Sequence, residues 1–206
     1  MISYKHKFLI IMPPKTGSVS ISNSFKKYCN IDFYIEQEED NFDFIDIGVP
    51  TKNSPYRYAK HHQLKNYKDV VKLDRYFKIG CIRNPYARVV SFWKWQNKIR
   101  KLQGAPSSIR FYDWLKKFQY NYWPTQTYLD YFSTENKTYN MDYYIRLEDI
   151  ENNLNFLFKK FNLKKPDLYK SNTSKAYDYR YFYNNKSKDI VEKLFRKDIN
   201  YFNYQF

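Results

Sequence analysis

Two short runs of this chain have the residue types and spacing to grip an anion. The first, Pro14-Lys15-Thr16-Gly17-Ser18-Val19-Ser20, directly follows the apolar run Phe8 to Met12 and opens a helical pattern. Unpaired backbone N–H groups and the positive end of a helix dipole converge at such a start, which is what a phosphate or sulfate requires. Lys15 adds a charge, Thr16 and Ser18 add hydroxyls, and Gly17 lets the backbone come close. The run is not a Walker loop, because the lysine precedes the glycine and the GxxxxGK[ST] spacing is missing. A nucleoside-triphosphate hydrolase is thereby demoted, while an ordinary strand-to-helix turn with a surface lysine stays open. The second run, Ile82-Arg83-Asn84-Pro85-Tyr86-Ala87-Arg88-Val89-Val90-Ser91, puts Arg83 at the carboxyl end of a second strand, the edge of a parallel sheet where ligands bind. Ser91 follows about two turns into the next helix. A guanidinium fork and a hydroxyl converging from one side suit a phosphate monoester. The plainer alternatives are that Arg83 neutralises a helix end and Ser91 bonds its own helix backbone.

The elements that must position these residues alternate between strand and helix. Phe8 to Met12, stopped by Pro13-Pro14, reads as a buried strand, and from Ser18 onward Val19, Ile21, Ser22 and Phe25 fall near helical spacing. An acidic stretch, Glu36 to Asp46, reads as a surface loop feeding a short strand at Phe44 to Gly48. A short helix is expected from Leu64 to Leu73 and a second apolar strand from Tyr76 to Ile82. The next helix has a clear start: Asn84 caps with its side-chain oxygen, and Pro85 supplies a preset φ where no N–H is needed. It should run to about Arg100, with Tyr86, Val89 and Trp93 facing the core and Arg88, Ser91 and Trp95 on other flanks. Helices are predicted over Phe111 to Tyr120 and Thr125 to Phe132, after a loop from Gln103 to Ser108. A third strand follows at Asp142 to Arg146. Then come amphipathic helices over Glu148 to Phe161, with Ile150, Leu154, Leu157, Phe158 and Phe161 on one stripe, and over Asp189 to Phe202. The pattern implies an α/β fold with a parallel sheet flanked by helices on both faces, in one domain spanning residues 1–206.

Composition narrows the function classes further. The chain has 206 residues, 43% of them hydrophobic and 21% aromatic, which is too apolar for a disordered chain. With 36 Lys+Arg against 21 Asp+Glu the formal net charge is +15, so the partner is expected to be anionic. Nucleic acid, a phosphate-rich cofactor, an acidic polysaccharide and a membrane surface all satisfy that. Cys29 and Cys81 are too few for a disulfide framework or a zinc site, and a reducing compartment is the default. The apolar run near the start is too short for a signal peptide or a membrane span, so a cytoplasmic location is expected.

Taken together, the two anion runs resemble those of the sulfotransferases that use 3′-phosphoadenosine 5′-phosphosulfate (PAPS). Pro14 to Ser20 is similar to their 5′-phosphosulfate loop, and Arg83 to Ser91 to their 3′-phosphate motif. Lys60-His61, Arg146-Leu147-Glu148-Asp149-Ile150 and Asn172-Thr173-Ser174 add further agreement, closest to the membrane-type carbohydrate sulfotransferases but without a signal anchor. The resemblance implies a P-loop-NTPase-like fold, PAPS as donor, a hydroxyl acceptor, most simply on a carbohydrate, and no required metal. It implies that Lys15 stabilises the leaving bisphosphate, and that Thr16, Gly17, Ser18 and Ser20 hold the 5′-phosphate. Arg83 and Ser91, with Ser174, Lys175 or Arg180, would hold the 3′-phosphate.

The acceptor proton needs a base, and a histidine titrates in the right range. His61 matches the family's Lys-His pair, while His62, Glu36, Glu38 and Glu148 are alternatives and Glu148 equally suits a helix start. Trp93, Trp95, Trp114 and Trp123 could stack a sugar face, with core packing the simpler role for Trp93 and Trp114. Lys159, Lys160, Lys164 and Lys165 form a solvated face or guide an anionic acceptor. The rivals are an ATP-using P-loop phosphotransferase, a basic nucleic-acid-binding protein in place of an enzyme with no nucleic-acid partner, and a PAPS binder without turnover.

Overall fold

The computed structural model describes residues 1–29, 61, 63–68, 71–104, 108–120, 125–135, 138–164 and 178–206. Four strands form one sheet in sequence order: β1 (Ile2–Ser3), β2 (Phe8–Ile11), β3 (Phe77–Ile82) and β4 (Tyr143–Arg146). β2, β3 and β4 are parallel, with Ile10 opposite Ile79 and Ile79 opposite Tyr143. The parallel sheet expected from the sequence is present, and β1 adds a short antiparallel strand at its edge, paired to β2. A strand as short as Ile2–Ser3 carries no periodicity to read.

One face of the sheet, through Phe8, Ile10, Ile79, Cys81 and Ile145, packs against helices α1 (Ser18–Phe25) and α5 (Ile150–Lys160). Leu154, Leu157 and Phe158 supply the buried stripe of α5, with Ile150 and Phe161 at its margins. The opposite face, through Leu9, Ile11 and Ile82, packs against α4 (Tyr128–Phe132), the 3₁₀ turn Leu64–Tyr67 and Phe202. Gly80 opens room there: a Cβ on it would sit 2.9 Å from the Phe132 ring. A third cluster joins α2 (Pro85–Leu102), α3 (Phe111–Phe118) and α6 (Asn185–Tyr201) through Val89, Phe92, Trp114, Leu115, Val191 and Phe195, with no sheet residue among those described. The two candidate runs, around Lys15 and Arg83, lie where this helical layer meets the carboxyl edge of the sheet.

Several boundaries differ from expectation for local reasons. Instead of one helix over Leu64 to Leu73, there are 3₁₀ turns at Leu64–Tyr67 and Leu73–Arg75, and the buried Leu64 and Tyr67 are held by tertiary contact. α6 begins four residues earlier than read, because Asn184 and Ser187 cap each other's backbone N–H groups. Thr127 and Asp130 do the same for α4, and α2 has the expected Asn84 cap and Pro85 start. The largest correction is Arg88, expected on a flank of α2 away from its core-facing residues and found only 1% exposed. Its charge is tolerated because two backbone carbonyls and the faces of Phe92, Tyr128 and Phe195 surround it. The strand expected at Phe44 to Gly48 lies outside the described residues. No helix among those described is long and apolar enough to cross a membrane.

Candidate active site

The first loop is built by residues that cannot continue the sheet. After β2, Pro13 and Pro14 offer no N–H to a neighbouring strand, and the buried Thr16 hydroxyl donates to the Pro13 carbonyl at 2.7 Å, closing the turn. The Thr16 hydroxyl proton is therefore turned inward, and the residue is fully buried in the turn. Lys15 and Gly17 both adopt left-handed φ, +67° and +85°. Gly17 is the N-cap of α1, and no side chain caps that helix start and no acid lies in its first turn. The first N–H groups of α1, from Ser18 to Ser20, thus present an uncompensated positive end.

Gly17 is doubly constrained: beside its φ, a Cβ would sit 2.5 Å from Leu147 Cδ1, in the turn that follows β4. Gly17→Ala is expected to destabilise the fold by about 1–2 kcal/mol, read as a lower urea midpoint. An unchanged midpoint would mean that the loop relaxes to a right-handed turn.

Lys15 is half-buried, its ammonium 5.4 Å from the centre of the Trp95 ring. Burial, reinforced by Arg83 and Lys98, lowers its pKa from 10.5 to about 8. Arg83, the residue after β3, donates from Nη1 to the Lys15 carbonyl at 3.3 Å, so the two sequence runs meet in space. Burial also lowers the Arg83 pKa, against the opposing influence of Tyr128, Glu148 and Tyr204. Lys94 is shifted down by burial and then by Arg83. A cluster of Lys15, Arg83, Lys94 and Lys98 repels itself, and an anion placed among them relieves that repulsion.

The turn carrying Arg83 is braced on every side. Glu148 accepts the Asn84 N–H at 2.6 Å and the Tyr204 hydroxyl at 3.2 Å, so its carboxylate supports the start of α2 and not that of its own helix. Asn84 caps Tyr86 N at 3.0 Å and donates to the Gln205 carbonyl at 2.8 Å and the Tyr179 hydroxyl at 3.2 Å. Ser91 lies half-buried in the second turn of α2, and Ser20 half-buried in α1, where its carbonyl accepts the Ser24 hydroxyl at 2.9 Å.

His61 stands at the same edge of the sheet, with Nδ1 2.7 Å from the carbonyl of Met12, the residue that ends the β2 run. A carbonyl only accepts, so Nδ1 carries the proton and Nε2 is the basic nitrogen of the neutral ring. That is the tautomer a proton acceptor needs.

The other sequence candidates divide clearly. Trp93, Trp95 and Trp114 all pack in the helical layer, Trp93 donating to the Ile109 carbonyl at 2.7 Å and Trp95 lying beneath the Lys15 ammonium. Arg180 is exposed and paired with Asp178 at 3.2 Å. α5 runs back along the sheet and carries Lys160 over the Phe77 ring, 4.4 Å away at the start of β3, which puts the Lys159, Lys160 and Lys164 group at the far edge from Lys15. Ser174, Lys175, Lys60, His62, Glu36, Glu38, Trp123 and Lys165 lie outside the described residues.

Three supporting residues escaped sequence reasoning: Arg88, Tyr128 and Asp198. Asp198 is buried, accepts the Tyr128 N–H at 2.7 Å and the Tyr139 hydroxyl at 2.8 Å, and has its pKa raised by burial to about 6. The available signal was an arginine four residues before Phe92 on the stripe that also carries buried Pro85 and Val89.

Residues 1–205 match the model of a family described as the sulfotransferase family. No curated protein and no solved structure matches the chain.

Proposed function

Because the chain belongs to the sulfotransferase family, we propose that it transfers a sulfuryl group from PAPS to a carbohydrate hydroxyl, with His61 as base. The observation that carries this reading is the 3.3 Å contact between Arg83 Nη1 and the Lys15 carbonyl, which joins two anion-binding loops at one edge of a parallel sheet. A donor with a phosphosulfate at one end and a 3′-phosphate at the other matches two such loops. The uncapped start of α1 suits the 5′-phosphate, and Arg83 with Ser91 suits the 3′-phosphate.

In the proposed reaction the acceptor oxygen attacks sulfur as its proton passes to His61 Nε2. The bond from sulfur to the bridging oxygen breaks, and its electron pair leaves on the 3′,5′-bisphosphate. The Lys15 ammonium lies against that developing charge. Little covalent work falls to the protein, so positioning and charge stabilisation dominate.

Calorimetric titration with 3′-phosphoadenosine 5′-phosphate, against adenosine 5′-phosphosulfate and ATP with magnesium, tests the donor. The bisphosphate is expected to bind most tightly, and Arg83→Ala to weaken it about 10- to 100-fold by removing a charge-assisted contact. A preference for ATP with metal would favour a phosphotransferase. Tight, salt-sensitive binding to any long polyanion would favour a nucleic-acid binder.

A further inference from the structure

Both anion loops touch one buried cluster that the reaction itself does not use. Arg88 donates from Nε to the Pro14 carbonyl at 3.2 Å, next to Lys15, and from Nη1 to the Gln126 carbonyl at 3.0 Å, near the start of α4. Its guanidinium carbon lies 5.0 Å from the centre of the Tyr128 ring. Tyr128, itself fully buried, handles both backbone groups of Arg83 with a single phenol: the oxygen accepts the Arg83 N–H at 2.9 Å and donates its proton to the Arg83 carbonyl at 2.7 Å. Asp198 of α6 in turn holds the Tyr128 N–H at 2.7 Å. Arg83 lies one residue beyond the β3 ladder, so its peptide groups have no strand to pair with and Tyr128 takes the place of one. An unbroken set of buried contacts thus runs from the loop before Lys15 to the backbone of Arg83.

Building on the PAPS reading, we propose that the Arg88–Tyr128–Asp198 cluster is the spacer that fixes the separation of the Lys15 and Arg83 loops and thereby selects a donor with two anionic ends. Tyr128 acts through Arg83 and is a positioning residue. A group that only stabilises the fold weakens every ligand alike. One that sets the spacing weakens only the ligand that must reach both loops.

The test is calorimetric titration of the full chain with 3′-phosphoadenosine 5′-phosphate and with adenosine 5′-phosphosulfate, which lacks the 3′-phosphate. Tyr128→Phe keeps the ring and removes the phenol. It is expected to weaken the bisphosphate about tenfold while the singly ended ligand holds its affinity, so the ratio between them collapses. Asp198→Ala is expected to move the ratio the same way, and Asp198→Asn, which keeps an acceptor for the Tyr128 N–H, to restore it. A ratio unchanged in both Tyr128→Phe and Asp198→Ala, including a uniform loss of both ligands, overturns the proposal. Failure of the wild-type chain to prefer the bisphosphate overturns it together with the PAPS reading, and that failure is distinguishable because it precedes any substitution.

Discussion

Lys15→Ala is expected to lower the turnover of the proposed sulfuryl transfer about 10²- to 10³-fold, the loss associated with one preorganised group aimed at developing charge. Lys15 earns this weight from its surroundings. Burial first, then Arg83 and Lys98, hold its pKa at about 8, so the free protein begins to lose the ammonium just above neutrality. A bound anion favours the ammonium, which means that ligand binding takes up a proton wherever the free site has released one. Bisphosphate affinity is therefore expected to be full below about pH 8 and to fall above it. Lys15→Arg, whose guanidinium stays charged, should flatten that profile. Stability runs the other way. Between about pH 8 and the ordinary lysine value of 10.5 the unfolded chain binds more protons at this position, so the Lys15 contribution to stability rises with pH across that window. Titrations at several pH values check the binding profile, and a wild-type affinity independent of pH would remove Lys15 from the anion site.

His61→Ala is expected to reduce the single-turnover rate about 10²- to 10⁴-fold with little effect on bisphosphate affinity. The split follows from the contacts: His61 bonds the Met12 carbonyl, while Arg83 bonds the Lys15 carbonyl, so removing the imidazole leaves the Lys15–Arg83 contact in place. A nearly unchanged rate would transfer the base role to His62 or a carboxylate. A rate and an affinity that fell together would mean that His61 serves the loop by holding Met12.

The legibility of this site in the sequence followed from how local each feature is. The start of α2 was readable because Asn84 and Pro85 solve a problem confined to one helix end. The shape of the loop before α1 was readable because a buried strand, two prolines and a glycine leave few other shapes for the chain. Arg88 was misread because a buried charge depends on groups far away in sequence, above all the rings of Tyr128 and Phe195 and the Gln126 carbonyl. The inward Thr16 hydroxyl was hidden for the opposite reason, since its partner at Pro13 is so close that the loop consumes the group expected to serve the ligand. The start of α6 was missed because its reciprocal cap uses Ser187 where a glutamate or glutamine is the usual signal. Glu148 reads from the sequence as an alternative base or a support for a helix start, and the helix it supports is hidden because its partner, the Asn84 N–H, lies 64 residues away.

The brace on Asn84 bears on the order in which the molecule forms. Its side chain is fixed by the Gln205 carbonyl, 121 residues along the chain, and by the Tyr179 hydroxyl, 95 residues along. Closing contacts of such separation is the slow, entropically expensive part of a folding reaction. The β2–β3–β4 ladder can be in register, and α1 already laid against it, while the turn around Arg83 is still unmade. In a chain made from its N-terminus, the Asn84 brace is therefore expected to be among the last contacts completed, because Gln205 emerges after all of β2, β3 and β4.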